Sequence, residues 1–507
     1  MSLNRPAVAL LGTVTALAAV TGVATLTLPA GAPTAGAPPA AAARLPVERS
    51  ALVCPQPSTS ELAETVYTAF TPAPAEGAPD GGSAALRPAP STLEKGGQEE
   101  DDENADAGVP AAVEEPGTPV VHETDRPDAP ALAGTATGGL APGWTVQQTT
   151  TISGGSGRGM LGAHCAAPGT AFWFPGVSTA DARHDYVHLV NPDDSTATVD
   201  LRLYDTDGVV ETESGTGITI PARSSVPVLL STLASRPAEN ATLHVAARVG
   251  RVGAQVQALD EKLGSDWLAP AAPADGPVVV PGIPGDATEV RLTAFTPGEA
   301  DIELAVRLAG PSGSFTPAGQ ETLHVKSGMT TAVDLADLTR GEPASLVLTP
   351  SGGADAPVMA AVRVLREEDG EQETAFVPAT APLVERATAA GGAAAGTADS
   401  TLFLTAPDSA ATVRVTASAG SEGGEPVVKT YALKPGTTTA VTDLRPEGGK
   451  GRFALTVEHV SGGPVHPARM LARSEDGVPM FTVQALPDDA GTVAVPQVEQ
   501  DLSVLTD

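Results

Sequence analysis

A block of about 100 residues stands three times in tandem in this chain, and its internal pattern leaves few folds open. The copies open at residues 186–208 (YVHLVNPDDSTATVDLRLYDTDG), 289–313 (EVRLTAFTPGEADIELAVRLAGPSG) and 400–424 (STLFLTAPDSAATVRVTASAGSEGG). Each reads as an alternating strand, a Pro-containing polar corner, and a second alternating strand ending at a Gly turn. Alternation with period two places Val199, Leu201 and Leu203 on one face. Ile302, Leu304 and Val306 do the same in the second copy, and Val413 and Val415 in the third. The intervening Asp200, Arg202, Glu303 and Arg414 are expected to face water. A strand, a Pro or Gly corner and a returning Ser/Thr-rich strand follow at 218–230, 323–335 and 431–444. Two more strands close each copy, at 243–249 and 252–256, 346–349 and 358–364, and 453–457 and 465–471. Short strands at this spacing, with Gly, Pro, Asp and Asn between them, predict tandem Ig-like antiparallel β-sandwich modules in an all-β chain.

The N-terminus bears on compartment. Arg5 precedes an apolar run at 6–28 (PAVALLGTVTALAAVTGVATLTL), and about 20 such residues can cross a bilayer as a helix. One reading is a cleaved signal peptide, with small-residue sites near Ala30–Ala37 or Ala40–Ala43. The other is an uncleaved signal anchor with Arg5 on the cytoplasmic side, the membrane then being a partner through residues 6–28. Either way the remainder is extracytoplasmic: single-pass anchored with its C-terminus outside, or secreted. In such a compartment the chain's two cysteines, Cys54 and Cys165, are most simply one disulfide; the alternative is two buried thiols. The formal charge of −32 disfavours nucleic acid as a partner, because phosphates would be repelled. With aromatics at 3 %, the cores should be built mostly from Val, Leu, Ala and Ile.

The domain reading is as follows. Residues 1–28 are the signal anchor or signal peptide and 29–48 a Pro/Ala-rich stalk. Residues 49–182 form a disulfide-linked β domain interrupted by a disordered acidic insertion at 73–142, which carries the run QEEDDENAD at 98–106. Sandwich repeats occupy 183–275, 285–385 and 400–490, with a linker at 386–399 and a tail at 491–507.

No motif reaches a catalytic signature. His184 and His188 are four apart but enter a strand, where that spacing separates them by about 13 Å, so both are expected on the surface and not on a metal. Asp193 and Asp194 in NPDD could suggest a carboxylate pair, yet adjacent acids in a Pro corner serve a turn. The other copies place Gly298–Glu299 and Asp408–Ser409 there. The Gly-rich stretch at 154–159 lacks the final Gly of a nucleophile elbow, and no phosphate-binding loop is present. Asn240-Ala241-Thr242 matches a glycosylation sequon. Trp173, between Phe172 and Phe174, and Trp267 are the candidate sugar-binding platforms, with a core role as the competing expectation for Trp173.

The segments ALVCPQP at 51–57, HCAAPGTAFWFPG at 164–176 and the NPDD strand pair resemble a family of uncharacterised actinobacterial exported proteins. That family is a domain of unknown function with an N-terminal hydrophobic segment and paired Cys-Pro motifs. The resemblance implies export, β structure and a Cys54–Cys165 pairing, and it implies no activity or catalytic residue. The expected function is an exported cell-envelope scaffold or interaction protein without catalysis or cofactor. Its partner would be an envelope protein or a polysaccharide. The alternative is a carbohydrate-binding accessory in cell-wall assembly.

Overall fold

The alternating segments fold as their pattern predicts. The computed structural model describes residues 43–74, 81–92, 111–155, 157–212, 214–352, 356–368, 371–394, 399–475, 478–489 and 491–495. Val199, Leu201 and Leu203 in the strand Ala197–Asp205 are all buried, as are Ile302, Leu304 and Val306 in Ile302–Ala309 and Val413 and Val415 in Ala411–Ala417. Arg202, Glu303 and Arg414 face water as expected. Asp200 does not. It is buried, accepting from the Gly217 amide at 2.9 Å and from Arg248 Nε at 2.5 Å.

The described residues form four sandwich modules. The first consists of the strands Arg49–Cys54, Ala63–Phe70, Gly82–Ala89, Ala112–Val113, Val120–Thr124, Ala131–Gly138, Thr145–Ile152 and Gly159–His164. Numbered in chain order within the module, one sheet runs 1-6-3-4 and the other 5-2-7-8. Residues 171–268, 278–378 and 386–485 repeat that order; in the second and third modules the fourth strand is split into two short segments. The disulfide-linked domain is therefore a fourth copy. Its signature is the segment YTAFTP at 67–72, which recurs as LTAFTP at 292–297.

This corrects the disordered insertion expected at 73–142. Four strands of the first module lie within it, and Ala84, Leu86, Val113, Leu132 and Ala136 are in its core. Average hydrophobicity hid them because small residues such as Ala84, Gly134 and Ala136 carry part of the packing. A Cβ on Gly134 would stand 2.3 Å from the Trp144 ring, so the sandwich closes only with glycine there. The acidic run 98–106 and the apolar run 6–28 lie outside the described residues. Among the described residues no helix is long and apolar enough to cross a membrane.

Module boundaries also move. Each later module begins with a strand that composition assigned elsewhere: Ala171–Val177 to the preceding domain, Val278–Ile283 to a gap between repeats, and Arg386–Ala393 to a linker. Ala387, Ala389 and Ala390 are buried, so the Ala/Gly content of 386–393 reflects close packing and not looseness. Of the expected stalk and tail, Ala43–Pro46 and Thr492–Val495 form a two-stranded sheet.

Residues 46–493 make one compact unit, in which the four modules close into a ring. The eighth strands Gly159–His164, Gly264–Leu268, Glu371–Pro378 and Val478–Ala485 contact one another in cyclic order at the centre. Around them, the 1-6-3 face of each module packs on the 5-2-7 face of the next. Val53, Ala89 and Ala131 meet Val190 at the first seam, and Trp173 and Tyr204 meet Phe295 and Met359 at the second. At the third, Phe403 and Ala468 lie over Gly282, while the hydroxyls of Ser345, Thr405 and Thr438 bond to one another across it. The closing seam returns module four to module one, through Ala390 and Ala454 against Phe70. Beside it the Val47 amide donates to the Gly491 carbonyl at 3.1 Å, bringing the two ends of the unit together.

Cys54 and Cys165 form a disulfide across 111 residues. It ties the first strand of one sheet to the end of the eighth strand of the other. Closing so long a loop stabilises by roughly 3–5 kcal/mol in the chain-entropy picture.

Candidate functional site

The ring centre concentrates buried charge, and part of it is paired across the modules. Asp266, fully buried on the eighth strand of module two, accepts from the Gly162 amide at 3.0 Å, the Phe376 amide at 3.4 Å and the Thr482 hydroxyl at 3.1 Å. One carboxylate thus touches the other three modules. Burial raises its pKa well above the usual carboxylate range, against the pull of those donors. Arg158 of module one pairs with Glu371 and Glu373 of module three, at 2.5 and 2.9 Å. Burial pushes Glu373 up to about 8 despite Arg158. Arg469, buried beside Gln484, is pulled down to about 9 by desolvation. Asp266, Glu373 and Arg469 lie buried between the modules and tie the ring together, while Glu371 reaches solvent.

A cavity that opens to solvent lies in the closing seam. It is a cleft of about 760 Å³, and the second seam holds only about 20 Å³ in the corresponding place. Module one supplies one wall: Glu64, Val66 and Thr68 from its second strand, Thr149 and Thr151 from its seventh, and Glu123 near its edge. Module four supplies the other, with Gly391, Glu422 and Arg452, and Arg473 beyond. Glu64, Glu123 and Glu422 are exposed, whereas Thr68 and Thr151 are buried at the floor. Desolvation lowers the Arg452 pKa, and Glu123 across the cleft opposes that shift.

Why this seam is open follows from cross-strand pairs at one position. Val66 pairs with Thr149 in module one, Tyr186 with Gln257 in module two, Arg291 with Arg363 in module three and Thr401 with Met470 in module four. The closing seam has the smallest pair. Its first-strand bulge is also a glycine, Gly391 at φ +89°, against which only Thr68 packs; at the third seam Phe403 covers Gly282.

The residues singled out from sequence fall elsewhere. Trp173 is half-buried at the second seam, stacked on His244 at 3.8 Å and packed near Phe295 at 5.2 Å. Trp267 is 2 % exposed and packs with Ala63, Ile152, Leu161 and Ala163 of module one, so its ring offers no face to a sugar. His184 is exposed, but His188 is buried edge-on to Trp267 at 5.1 Å, and burial pulls its pKa down to about 4. The expectation of two surface histidines is corrected to one: strand two of each module faces a neighbour on the side that sequence alone would give to water. Asp193 and Asp194 pair with Arg251 and Arg223, and Asn191 organises the corner by donating to three carbonyls. Asn240 accepts from Arg291 Nε at 2.9 Å across the second seam. Among the described residues no group of three or more His, Cys, Asp or Glu could hold a metal ion.

Sequence reasoning missed the cleft because its two walls come from residues more than 200 apart. The signal available was YTAFTP, which aligns module one on module three and exposes the losses at Val66 and Thr149. A search of curated proteins finds no match to this chain. A family model does match residues 120–443, from the fifth strand of module one to just past the fifth strand of module four, and the chain thus belongs to a family of unknown function (DUF5719).

Proposed function

We propose that the protein is a non-catalytic interaction scaffold working outside the cytoplasm, with the closing-seam cleft as its docking site. The observation that carries this reading is the contrast within the ring: the same packing position is filled at the second seam and left as a 760 Å³ cleft at the closing one. A cavity of that size suits side chains of a partner or a short segment, not a whole domain. The disulfide is consistent with an extracytoplasmic site of action, and the apolar run at 6–28 would deliver the ring there as a signal peptide or hold it at the membrane as an anchor. The threonine- and serine-rich lining keeps the second reading, a carbohydrate-binding accessory of cell-wall assembly, which would then bind without an aromatic platform. The test is site-specific photo-crosslinking in intact cells. A crosslinker at Val66 or Thr149 should yield a discrete adduct, and one at exposed Val249 on the second module should not. Equal labelling from both positions would defeat the docking reading.

A further inference from the structure

The chain contains a template for what the cleft receives. Strand pairing sets module one on module three residue by residue: Ala69 pairs with Val146 and Val120, as Ala294 pairs with Ala360 and Thr331. In that frame Glu64 corresponds to Glu289 and Glu123 to Asp334, so both acids are retained. Val66 corresponds to Arg291 and Thr149 to Arg363, so both arginines are absent. In module three Arg363 Nη2 meets Glu289 Oε1 at 2.8 Å and Arg291 Nε donates to Asn240 at 2.9 Å. Those two guanidinium groups line the small residual space of the second seam. Module one keeps the carboxylates and leaves the room empty.

We infer that the closing-seam cleft accepts arginine side chains presented by an extended basic segment of a partner protein. This rests on the docking reading and adds the chemistry of the occupant. Glu64, Glu123, Asp125 and Glu422 outnumber Arg452 and Arg473 around the cleft, so its field attracts cations. A planar guanidinium can bond two carboxylate oxygens at once, which a lysine ammonium cannot match. The chain's net charge of −32 steers a basic partner toward it.

The experiment uses the full chain and a fluorescein-labelled Gly-Arg-Gly-Arg-Gly peptide followed by anisotropy at low salt. The expected result is saturable binding, at least tenfold weaker when citrulline replaces arginine and weaker again in 0.5 M salt. Glu64→Gln with Glu123→Gln should weaken binding at least tenfold. Val66→Arg with Thr149→Arg, which restores the module-three pattern, should abolish it while leaving the thermal midpoint unchanged or raised. Equal affinity for arginine and citrulline peptides, or for wild type and the double Gln variant, overturns the inference. Should the arginine pair fail to fold, the isosteric Gln variants decide. A crosslinked partner at Val66 without peptide binding, or a captured polysaccharide, sinks the arginine inference and leaves docking standing; no adduct from the cleft removes both.

Discussion

The second seam and the closing seam are built from the same strands in the same order, yet one is filled and the other open. At the second seam Trp173 stacks on His244 and near Phe295, and Arg291 and Arg363 occupy the space behind. At the closing seam the corresponding strands carry Val66 and Thr149, and a cleft remains. The backbone plan therefore sets where a seam runs, while a few side chains set whether it is sealed. Ring closure explains why the open seam is tolerated. Module four is held to module one by the central eighth strands, by Phe70 with Ala390 and Ala454, and by Met160 with Leu471 and Met480, so the cleft does not have to hold the ring shut.

Substitutions at matched positions test that difference. The largest effect is expected at Phe403, buried over Gly282 in the third seam. Phe403→Ala should destabilise by about 3–5 kcal/mol through lost burial and a residual cavity, whereas Thr68→Ala over Gly391 should cost about 1 kcal/mol. Chemical denaturation of both variants measures the gap, and equal losses would mean the closing seam is as tightly packed as the third. Replacing both Cys54 and Cys165 with Ala should cost roughly 3–5 kcal/mol. Because the bridge lies in module one, hydrogen exchange should rise first in that module and at the closing seam. Uniform exchange across all four modules would argue against that order.

The bulge glycines give a smaller contrast. Gly282→Ala meets Phe403 at 2.8 Å and Ala468 at 2.9 Å on a backbone at φ +79°. Strain and overlap together should cost about 2–4 kcal/mol. Gly391→Ala meets only the Thr68 hydroxyl at 3.2 Å, and the positive φ alone should cost about 1–2 kcal/mol. The smallest expected effect is a pH slope from the ring centre. Glu373 is raised from 4.5 to about 8 in the folded state, so over that interval the folded protein binds the extra proton and stability falls as pH rises. His164, His188, His244 and His466, lowered to about 4, act oppositely but only below 6.5. Between pH 6.5 and 8 the acid dominates, and stability should drop by up to about 2 kcal/mol. Glu373→Gln should flatten thermal midpoints across that window; an unchanged slope would move the effect to another buried carboxylate shifted in the same direction, Asp185, Asp266 or Asp489.

Strand identity was legible wherever alternation was strong, and the residues expected on buried faces of the repeats are buried. Legibility failed where small residues carry the packing. Gly134 looks like linker by composition because the Trp144 ring comes too close for a side chain there, and Ala387, Ala389 and Ala390 in the first strand of module four look like linker although all three are buried. It failed again at outward faces. His188 and Asp200 sit at positions that a lone sandwich would expose, and a neighbouring module and a local turn cover them. The candidate site was invisible for the same reason: Val66 and Arg452 face one cleft only after the ring closes.

Alternating side chains, Pro and Gly corners and the tandem period were enough to determine sandwich modules, because strand formation and face selection depend on residues close in sequence. The closure of the modules into a ring, the cross-module partners of Asp266 and the open seam were decided by tertiary structure alone. Those features depend on whether side chains hundreds of residues apart fill a shared space, and no local pattern encodes that volume.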